Sequence, residues 1–87
     1  MYKKQVIVAN KTGLHARPAS EFVKLASSFE SNIFINNKGR DINAKSVIGV
    51  LSAGVCANTA ITIFAEGADE IDAVEALTQL IESKFGE

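Results

Sequence analysis

Helical and strand-like hydrophobic spacings alternate along this chain of 87 residues in an order that few folds accommodate. Three stretches have apolar residues at three- and four-residue spacing, which predicts amphipathic helices. Four short runs are rich in β-branched residues or alternate apolar with polar residues, which predicts strands. The order is β, α, β, β, α, β, α. Because three helices must share the apolar surface of one small sheet, we predict an α+β fold, an open two-layer sandwich whose antiparallel or mixed sheet is covered on one face.

Local signals set the boundaries of these elements. The first helix begins near His15, since Pro18 is tolerated only in a helix's first turn. Ser46 and Gly54 enclose a second helix of about two turns as its N-cap and its C-terminal glycine. Asp69 is the predicted N-cap of a longer third helix. The apolar stripe predicted for that helix is Ile71, Val74, Leu77, Leu80, Ile81 and Phe85. The predicted strands are Tyr2 to Val8, Ser31 to Ile35, Arg40 to Asn43 and Thr59 to Gly67.

Composition excludes several classes of protein. A formal net charge of -1 with 47% hydrophobic residues is typical of a globular domain and too neutral for direct nucleic-acid binding. One cysteine, Cys56, and one histidine can form neither an intramolecular disulfide nor a structural zinc site, so we expect no metal and no cofactor. We interpret Cys56 as a small core residue. We expect residues 1–87 to form a single domain.

The uncharged stretch from Val47 to Ala65 is about as long as a membrane-spanning helix. Polar residues and glycines interrupt it, and a β-branched alternation begins within it, so it is better interpreted as helix, loop and strand. The N-terminal run is too short and too polar for a signal peptide. We therefore expect a cytoplasmic protein without membrane insertion.

The segment KTGLHARPAS contains the only histidine and the only proline of the chain. A histidine at a helix start lies beside backbone amides that carry about +0.5 elementary charge, which favours the neutral, nucleophilic imidazole. A phosphoryl group on His15 would face the same amides, with Arg17 nearby. No carboxylate lies within five residues of His15, which favours phosphoryl transfer over a hydrolytic triad. On chemistry alone, a plain surface or cap role for His15, and a solvated Arg17, stay open.

Ser46 is first of all a helix N-cap, and a phosphate at that position would be tolerated electrostatically. The uncharged residues Val47, Ile48 and Leu51 follow it. They cannot all face the core from so short a helix, so an exposed apolar patch there would indicate a partner-binding surface. Packing of the same residues on the sheet is an equal alternative.

Three ordered motifs, GLHARPA, KSVIGVLSAG and ITIFAEGADEIDAVEAL, resemble those of the HPr family, the histidine-containing phosphocarriers of the bacterial sugar phosphotransferase system. The likeness covers the whole chain. It implies an open-faced β-sandwich of four antiparallel strands under three helices. It also implies that His15 accepts a phosphoryl group on Nδ1 from phosphorylated enzyme I, which obtains it from phosphoenolpyruvate, and passes it to sugar-specific IIA domains. Arg17 would stabilise that group, and the protein would be a carrier, without turnover of its own.

The resemblance further implies that Ser46 is the substrate of HPr kinase/phosphorylase, and that the seryl-phosphorylated form binds the catabolite control protein. The partner-binding residues that it implies are Ser20, Lys24, Lys45, Val47, Ile48 and Leu51. Two positions depart from the family pattern: Asn58 stands where glycine is common, and Ile48 replaces a frequent methionine or phenylalanine. Ile48 is stiffer than methionine, which bears on the regulatory partners more than on transfer. We expect a monomer.

Three alternatives compete with a sugar-system carrier. Purely regulatory HPr-like paralogues lack the active histidine, so the presence of His15 argues against that class. A nitrogen-branch paralogue stays open. A non-enzymatic α+β interaction domain, in which His15 only caps a helix, predicts that the protein takes up no phosphoryl group.

Overall fold

The computed structural model describes residues 1–86 and contains four strands and three helices in the predicted order. The strands are β1 (Tyr2–Val8), β2 (Asn32–Asn37), β3 (Arg40–Asn43) and β4 (Thr59–Glu66). The helices are α1 (Ala16–Ser27), α2 (Val47–Ser52) and α3 (Glu70–Glu82), and a 3₁₀ turn follows at Lys84–Gly86. The predicted α+β class and its element order are confirmed.

One antiparallel sheet has the strand order β1-β4-β2-β3, so β4 and β2 are its inner strands. Side chains on β4 alternate as predicted: Ile61, Ile63 and Ala65 are buried beneath the helices. On the other face, the rings of Phe34 and Phe64 stack with their centroids 5.3 Å apart. The helices therefore cover one face and leave the other open, which confirms the predicted two-layer sandwich.

The core is built where helix stripes meet the inner strands. In α1 the predicted residues Ala19, Phe22, Val23 and Ala26 are buried. Phe29 lies beyond the end of α1 and is only partly buried against the core. Helices α1 and α3 each bury one stripe of apolar side chains in this core. This packing fixes the position of the first turn of α1 relative to the sheet.

The hairpin between β2 and β3 is tighter than predicted. Strand β2 continues to Asn37, because Lys38 and Gly39 turn the chain with φ values of 54° and 84°. Two successive positive φ angles are the geometry of a two-residue turn that matches the twist of the strands. The longer strand buries Asn37, whose amide donates a hydrogen bond to the carbonyl of Ala53 at 3.2 Å.

The predicted stripe of α3 is wrong at its N-terminal end, where Ile71 is 57% exposed. The buried face consists of Ala73, Val74, Leu77, Thr78 and Ile81. Helix α3 ends at Glu82, and Phe85 reaches the core only because the chain turns back with a φ of 53° at that residue. Phe85 is thus a core residue, but it does not belong to the helix.

Asp69 begins α3, but its carboxylate does not cap the helix as predicted. It accepts hydrogen bonds from the amides of Glu30 and Ser31, both at 2.9 Å, and from the hydroxyl of Ser31. Asp69 therefore joins the start of α3 to the loop between α1 and β2. The hydrogen bond from the Ser31 hydroxyl, followed by those from the Glu30 and Ser31 amides, lowers the pKa of Asp69 below its ordinary value.

This lowered pKa predicts a specific acid sensitivity. A carboxylate whose pKa is lower in the folded state stabilises the fold above the ordinary aspartate pKa of about 4, and that contribution disappears as the pH falls through the folded-state pKa. We expect Asp69→Asn to lower the melting temperature at pH 7, and we expect the difference from the parent protein to shrink as the pH falls below about 4. Thermal unfolding followed by circular dichroism across this range measures both effects.

Asp72→Asn is the matched control, since Asp72 is an exposed acid in the first turn of the same helix. It should leave both the melting temperature and its pH dependence near those of the parent protein. Equal pH dependence in Asp69→Asn and the parent protein would contradict the assignment of this contribution to Asp69.

Candidate functional site

His15 is the N-cap residue of α1, with extended backbone angles of -84° and -168°. Its carbonyl accepts the first hydrogen bond of the helix from the amide of Ala19, at 2.8 Å. The side chain makes no capping hydrogen bond, and the residue is exposed. Pro18 occupies the first turn and is buried, as predicted. The sequence thus places an exposed imidazole, without a capping hydrogen bond, beside the positive end of α1.

The loop that carries His15, residues 10–15, is closed on itself by a buried asparagine. The Asn10 side chain is 1% exposed, and its Nδ2 donates to the carbonyl of Gly13 at 2.7 Å and to Oγ1 of Thr12 at 3.2 Å. In return, the amide of Gly13 donates to the carbonyl of Asn10 at 3.1 Å. The structural role of Asn10 was not predicted from the sequence. An asparagine and a glycine around a turn are the signal that was available.

A second set of contacts ties this loop to the segment after α2. The amide of Leu14 donates to the carbonyl of Val55 at 2.9 Å, and both side chains are buried. Gly13 has a φ of 61°, and a Cβ atom there would lie 2.4 Å from the same carbonyl oxygen. Only glycine permits this approach. The backbone beneath His15 is therefore fixed by a part of the chain forty residues further on.

An open pocket of about 330 Å³ lies in front of this contact. His15 and Thr12 line one side, and Leu51 and Cys56 line the other. Cys56 is exposed, so the prediction of a core cysteine is wrong. Val55 occupies the buried position instead, and the next side chain of this extended segment points outward.

Asn58 completes the segment that follows the pocket, and its φ is 64°. Its amide donates a hydrogen bond to the carbonyl of Val8 at the end of β1. Asparagine adopts this left-handed conformation more readily than other side chains do. The departure from the family's common glycine is therefore compatible with the backbone.

Arg17 lies in the first turn of α1, and its acceptors include a carboxylate on the same helix and a backbone carbonyl near the end of the chain. Its Nη1 donates to Oε2 of Glu21 at 3.1 Å and to the carbonyl of Phe85 at 3.2 Å. Glu21 was not among the predicted site residues, although a carboxylate four residues after an arginine on a helix is a recognised pairing. The contact with the carbonyl of Phe85 was not predicted either, because no sequence signal indicated that the chain turns back at the end of α3.

Ser46 is the N-cap of α2, as predicted, and its Oγ accepts a hydrogen bond from the amide of Gly49 at 3.0 Å. We call Val47, Ile48 and Leu51 the α2 patch. These side chains are 40%, 78% and 40% exposed, whereas Val50 is fully buried. The patch is therefore a surface feature, and the alternative that these three residues pack on the sheet is wrong.

The remaining partner-binding candidates differ in their environments. Ser20 and Lys24 are exposed on α1. Lys45 is half-buried, and its Nζ donates to the carbonyl of Phe29, just beyond the end of α1, at 2.7 Å. Among residues 1–86, no cluster of three or more histidine, cysteine or acidic side chains could hold a metal ion. No helix in that range is long and apolar enough to cross a membrane.

Comparison with known proteins gives a consistent result. The family model described as "PTS HPr component phosphorylation site" matches residues 2–83. The HPr-like protein Crh of Halalkalibacterium halodurans is 48% identical over 84 residues, which are 97% of this chain and 100% of that protein. The phosphocarrier protein HPr of Xylella fastidiosa is 41% identical over 87 residues, which are 100% of this chain and 98% of that protein.

Solved structures agree with the fold. The crystal structure of HPr-C-His from Thermoanaerobacter tengcongensis superimposes with a TM-score of 0.98 at 48% identity, covering 100% of this chain and 98% of that one. A second crystal structure from that organism, described as an HPr dimer, superimposes with a TM-score of 0.80 at 48% identity and covers 100% of both chains. The conformation described above therefore has an experimental counterpart.

The close approach of Gly13 to Val55 predicts an unusual sensitivity at this glycine. Gly13→Ala places an alanine in the left-handed conformation, which lowers the free energy of unfolding by about 1–2 kcal/mol. The clash of its Cβ atom with Val55 lowers it by about 1–3 kcal/mol more. Gly54→Ala is the matched control, since Gly54 has a similar φ of 64° but no atom within 4 Å of its added Cβ. Urea denaturation should show the larger loss of unfolding free energy for Gly13→Ala. Equal losses would contradict the argument that the contact with Val55 requires glycine.

Proposed function

This chain belongs to the HPr family, and we propose that it carries a phosphoryl group on His15 from phosphorylated enzyme I to the IIA domains of sugar permeases. Members of this family are phosphocarriers and do not turn over a substrate alone. The observation that carries the proposal is an exposed imidazole without a capping hydrogen bond, at the N-terminus of α1, on a backbone held by contacts within its own loop and by the segment after α2.

The reaction at His15 is a displacement at phosphorus. The lone pair of Nδ1 attacks the phosphoryl group, the bond between phosphorus and the donor enzyme breaks, and the electron pair of that bond stays on the donor. The other ring nitrogen of His15 keeps its hydrogen, so no general base is required. The charge of the phosphoryl oxygens then faces the first turn of α1, where the helix dipole stabilises an anion. Since phosphoryl transfer depends mainly on position and charge, a fixed loop is sufficient on the carrier's side.

Arg17 supplies the second positive charge. It lies two residues after His15 and now donates to Glu21 and to the carbonyl of Phe85. A guanidinium group forms stronger, charge-assisted hydrogen bonds with a phosphoryl dianion than with a neutral carbonyl. We propose that Arg17 turns toward the phosphoryl group once His15 is phosphorylated, because that group is the most highly charged acceptor nearby.

Partner binding is proposed for the surface that contains both His15 and the α2 patch. Leu51 belongs to that patch and also lines the pocket of His15, so the two features are continuous. An apolar patch beside the reactive group lets a partner dock and enclose the phosphoryl group at the same time. Ser20 and Lys24 are exposed on α1, and they would extend this surface on the other side of His15.

Regulation is proposed at Ser46, by an ATP-dependent serine kinase of the HPr kinase/phosphorylase type. A phosphate on this serine would add nearly two negative charges at the edge of the α2 patch. The charge would weaken apolar docking there and would create a different surface, suited to a regulatory partner such as the catabolite control protein. The N-terminal position in α2 keeps the modified form compatible with the fold.

A purely regulatory, HPr-like role is the second candidate, and the similarity to the HPr-like protein Crh favours it. The presence of His15 favours the carrier instead. For the oligomeric state we propose a monomer, because β1 completes the sheet of its own chain. Light scattering after size-exclusion chromatography separates this from a dimer of the kind described for the relative from Thermoanaerobacter tengcongensis.

The carrier role predicts acid-labile labelling of one residue. With enzyme I and radiolabelled phosphoenolpyruvate, the parent protein should take up one phosphoryl group that is stable in base and lost in acid, whereas His15→Ala should take up none. Autoradiography after gel electrophoresis under basic conditions measures the uptake. Absence of label in the parent protein, or equal label in the variant, would contradict the assignment of His15.

The regulatory role predicts a second, chemically different label. With ATP and the serine kinase, we expect one acid-stable phosphate in the parent protein and none in Ser46→Ala. Ser52→Ala, at the other end of α2, should be labelled like the parent protein. Loss of the Ser46 N-cap should also cost about 1 kcal/mol in urea denaturation. Label that persists in Ser46→Ala would show that another residue is modified.

A further inference from the structure

One acidic side chain competes directly for the arginine that the phosphoryl group needs. Oε2 of Glu21 accepts a hydrogen bond from Nη1 of Arg17 at 3.1 Å, one turn along the exposed face of α1. The side chains are 57% and 44% exposed, so both can change partners without disturbing the core. We propose that Glu21 is a positioning residue that sets the phosphoryl-transfer equilibrium of this protein, by holding Arg17 in the unphosphorylated form. The proposal rests on the proposed function of His15.

The competition follows from the chemistry of the two acceptors. The carboxylate of Glu21 and the phosphoryl dianion on His15 are both anions, and both attract the same guanidinium group. When Arg17 turns to the phosphoryl group, its ion pair with Glu21 is lost. The free energy of that pair is therefore subtracted from the stability of the phosphorylated form.

The size of the effect is limited by solvent. An exposed pair separated by four residues on a helix has a small free energy, which corresponds to about a 1.5- to 2-fold change in an equilibrium constant. A carrier benefits from a bias of this size, because it must release the phosphoryl group as readily as it accepts it. Arg17 also donates to the carbonyl of Phe85. This acceptor is a backbone group, so a side-chain substitution does not remove it.

The equilibrium constant of the transfer distinguishes this role from an effect on partner docking. In the transfer, the bond between phosphorus and the donor enzyme breaks, the N–P bond to Nδ1 of His15 forms, and the phosphoryl oxygens pass across unchanged. The equilibrium constant of this exchange depends only on the free proteins and their phosphorylated forms. A residue that only affects docking changes the rates in both directions and leaves that constant unaltered.

The test is the equilibrium constant between phosphorylated enzyme I and this protein, measured from both directions by quantifying the phosphorylated fraction of each. We expect Glu21→Gln to shift it about 1.5- to 2-fold toward the phosphorylated carrier, because a neutral amide holds Arg17 more weakly. Glu21→Asp keeps the charge but shortens the side chain, so it should shift the constant in the same direction. Glu66→Gln, which removes an exposed acid on β4, controls for net charge and should have no effect.

A double-mutant cycle identifies the route of the effect. In an Arg17→Ala background, Glu21→Gln should no longer change the constant. A persistent shift there would show that Glu21 acts by direct repulsion of the phosphoryl group and would overturn the proposal. An unchanged constant for Glu21→Gln in the parent background would overturn it as well, and would leave the carrier role intact. If the parent protein accepted no phosphoryl group, the proposed function itself would be wrong, and this inference with it.

Discussion

The carbonyl of Val55 accepts a hydrogen bond from the amide of Leu14 and lies against Gly13. The position of His15 depends on these two contacts. They join the loop before α1 to the segment after α2, so that each holds the other in place. A reactive group must be exposed to meet its partners, yet a group on an unsupported loop would lose the positioning that phosphoryl transfer requires. Here the imidazole is exposed while the backbone beneath it is buried and hydrogen-bonded. That combination depends on Gly13, because the absence of a Cβ atom there lets the backbone of Val55 approach closely.

The elements of the fold were predictable because their signals are local. The alternation on β4, the position of Pro18 and the cap at Ser46 each depend on neighbouring residues, and the structure confirms all three. Contacts between distant segments carry no such signal. Asp69 has the right type and position for a cap, but the amides of another loop compete successfully for its carboxylate. Cys56 is exposed because Val55 beside it takes the buried position, which depends on where the loop of His15 packs.

The charged part of the candidate site was only half predictable. His15 and Arg17 follow from the motif, whereas the partners of Arg17 require the structure, because one of them is a backbone carbonyl at the far end of the chain. These partners change the interpretation of the arginine. Before transfer it is an occupied donor, held by an anion on its own helix. In the proposed transfer, binding of the phosphoryl group by Arg17 would be an exchange of acceptors, and the net gain would be smaller than the full free energy of one ion pair.

The length of α2 explains how the proposed transfer and the proposed regulation can share one surface. With six residues, the helix buries Val50 and has no room to turn Ile48 and Leu51 inward as well, so an apolar patch stays exposed beside His15. A permanent apolar patch is costly for a monomer unless partners use it. Ser46 lies at the start of the same helix, where its hydroxyl accepts a hydrogen bond from the backbone amide of Gly49. A negative charge added there would change the partner-binding surface and leave the burial of Val50, and with it the fold, unaltered.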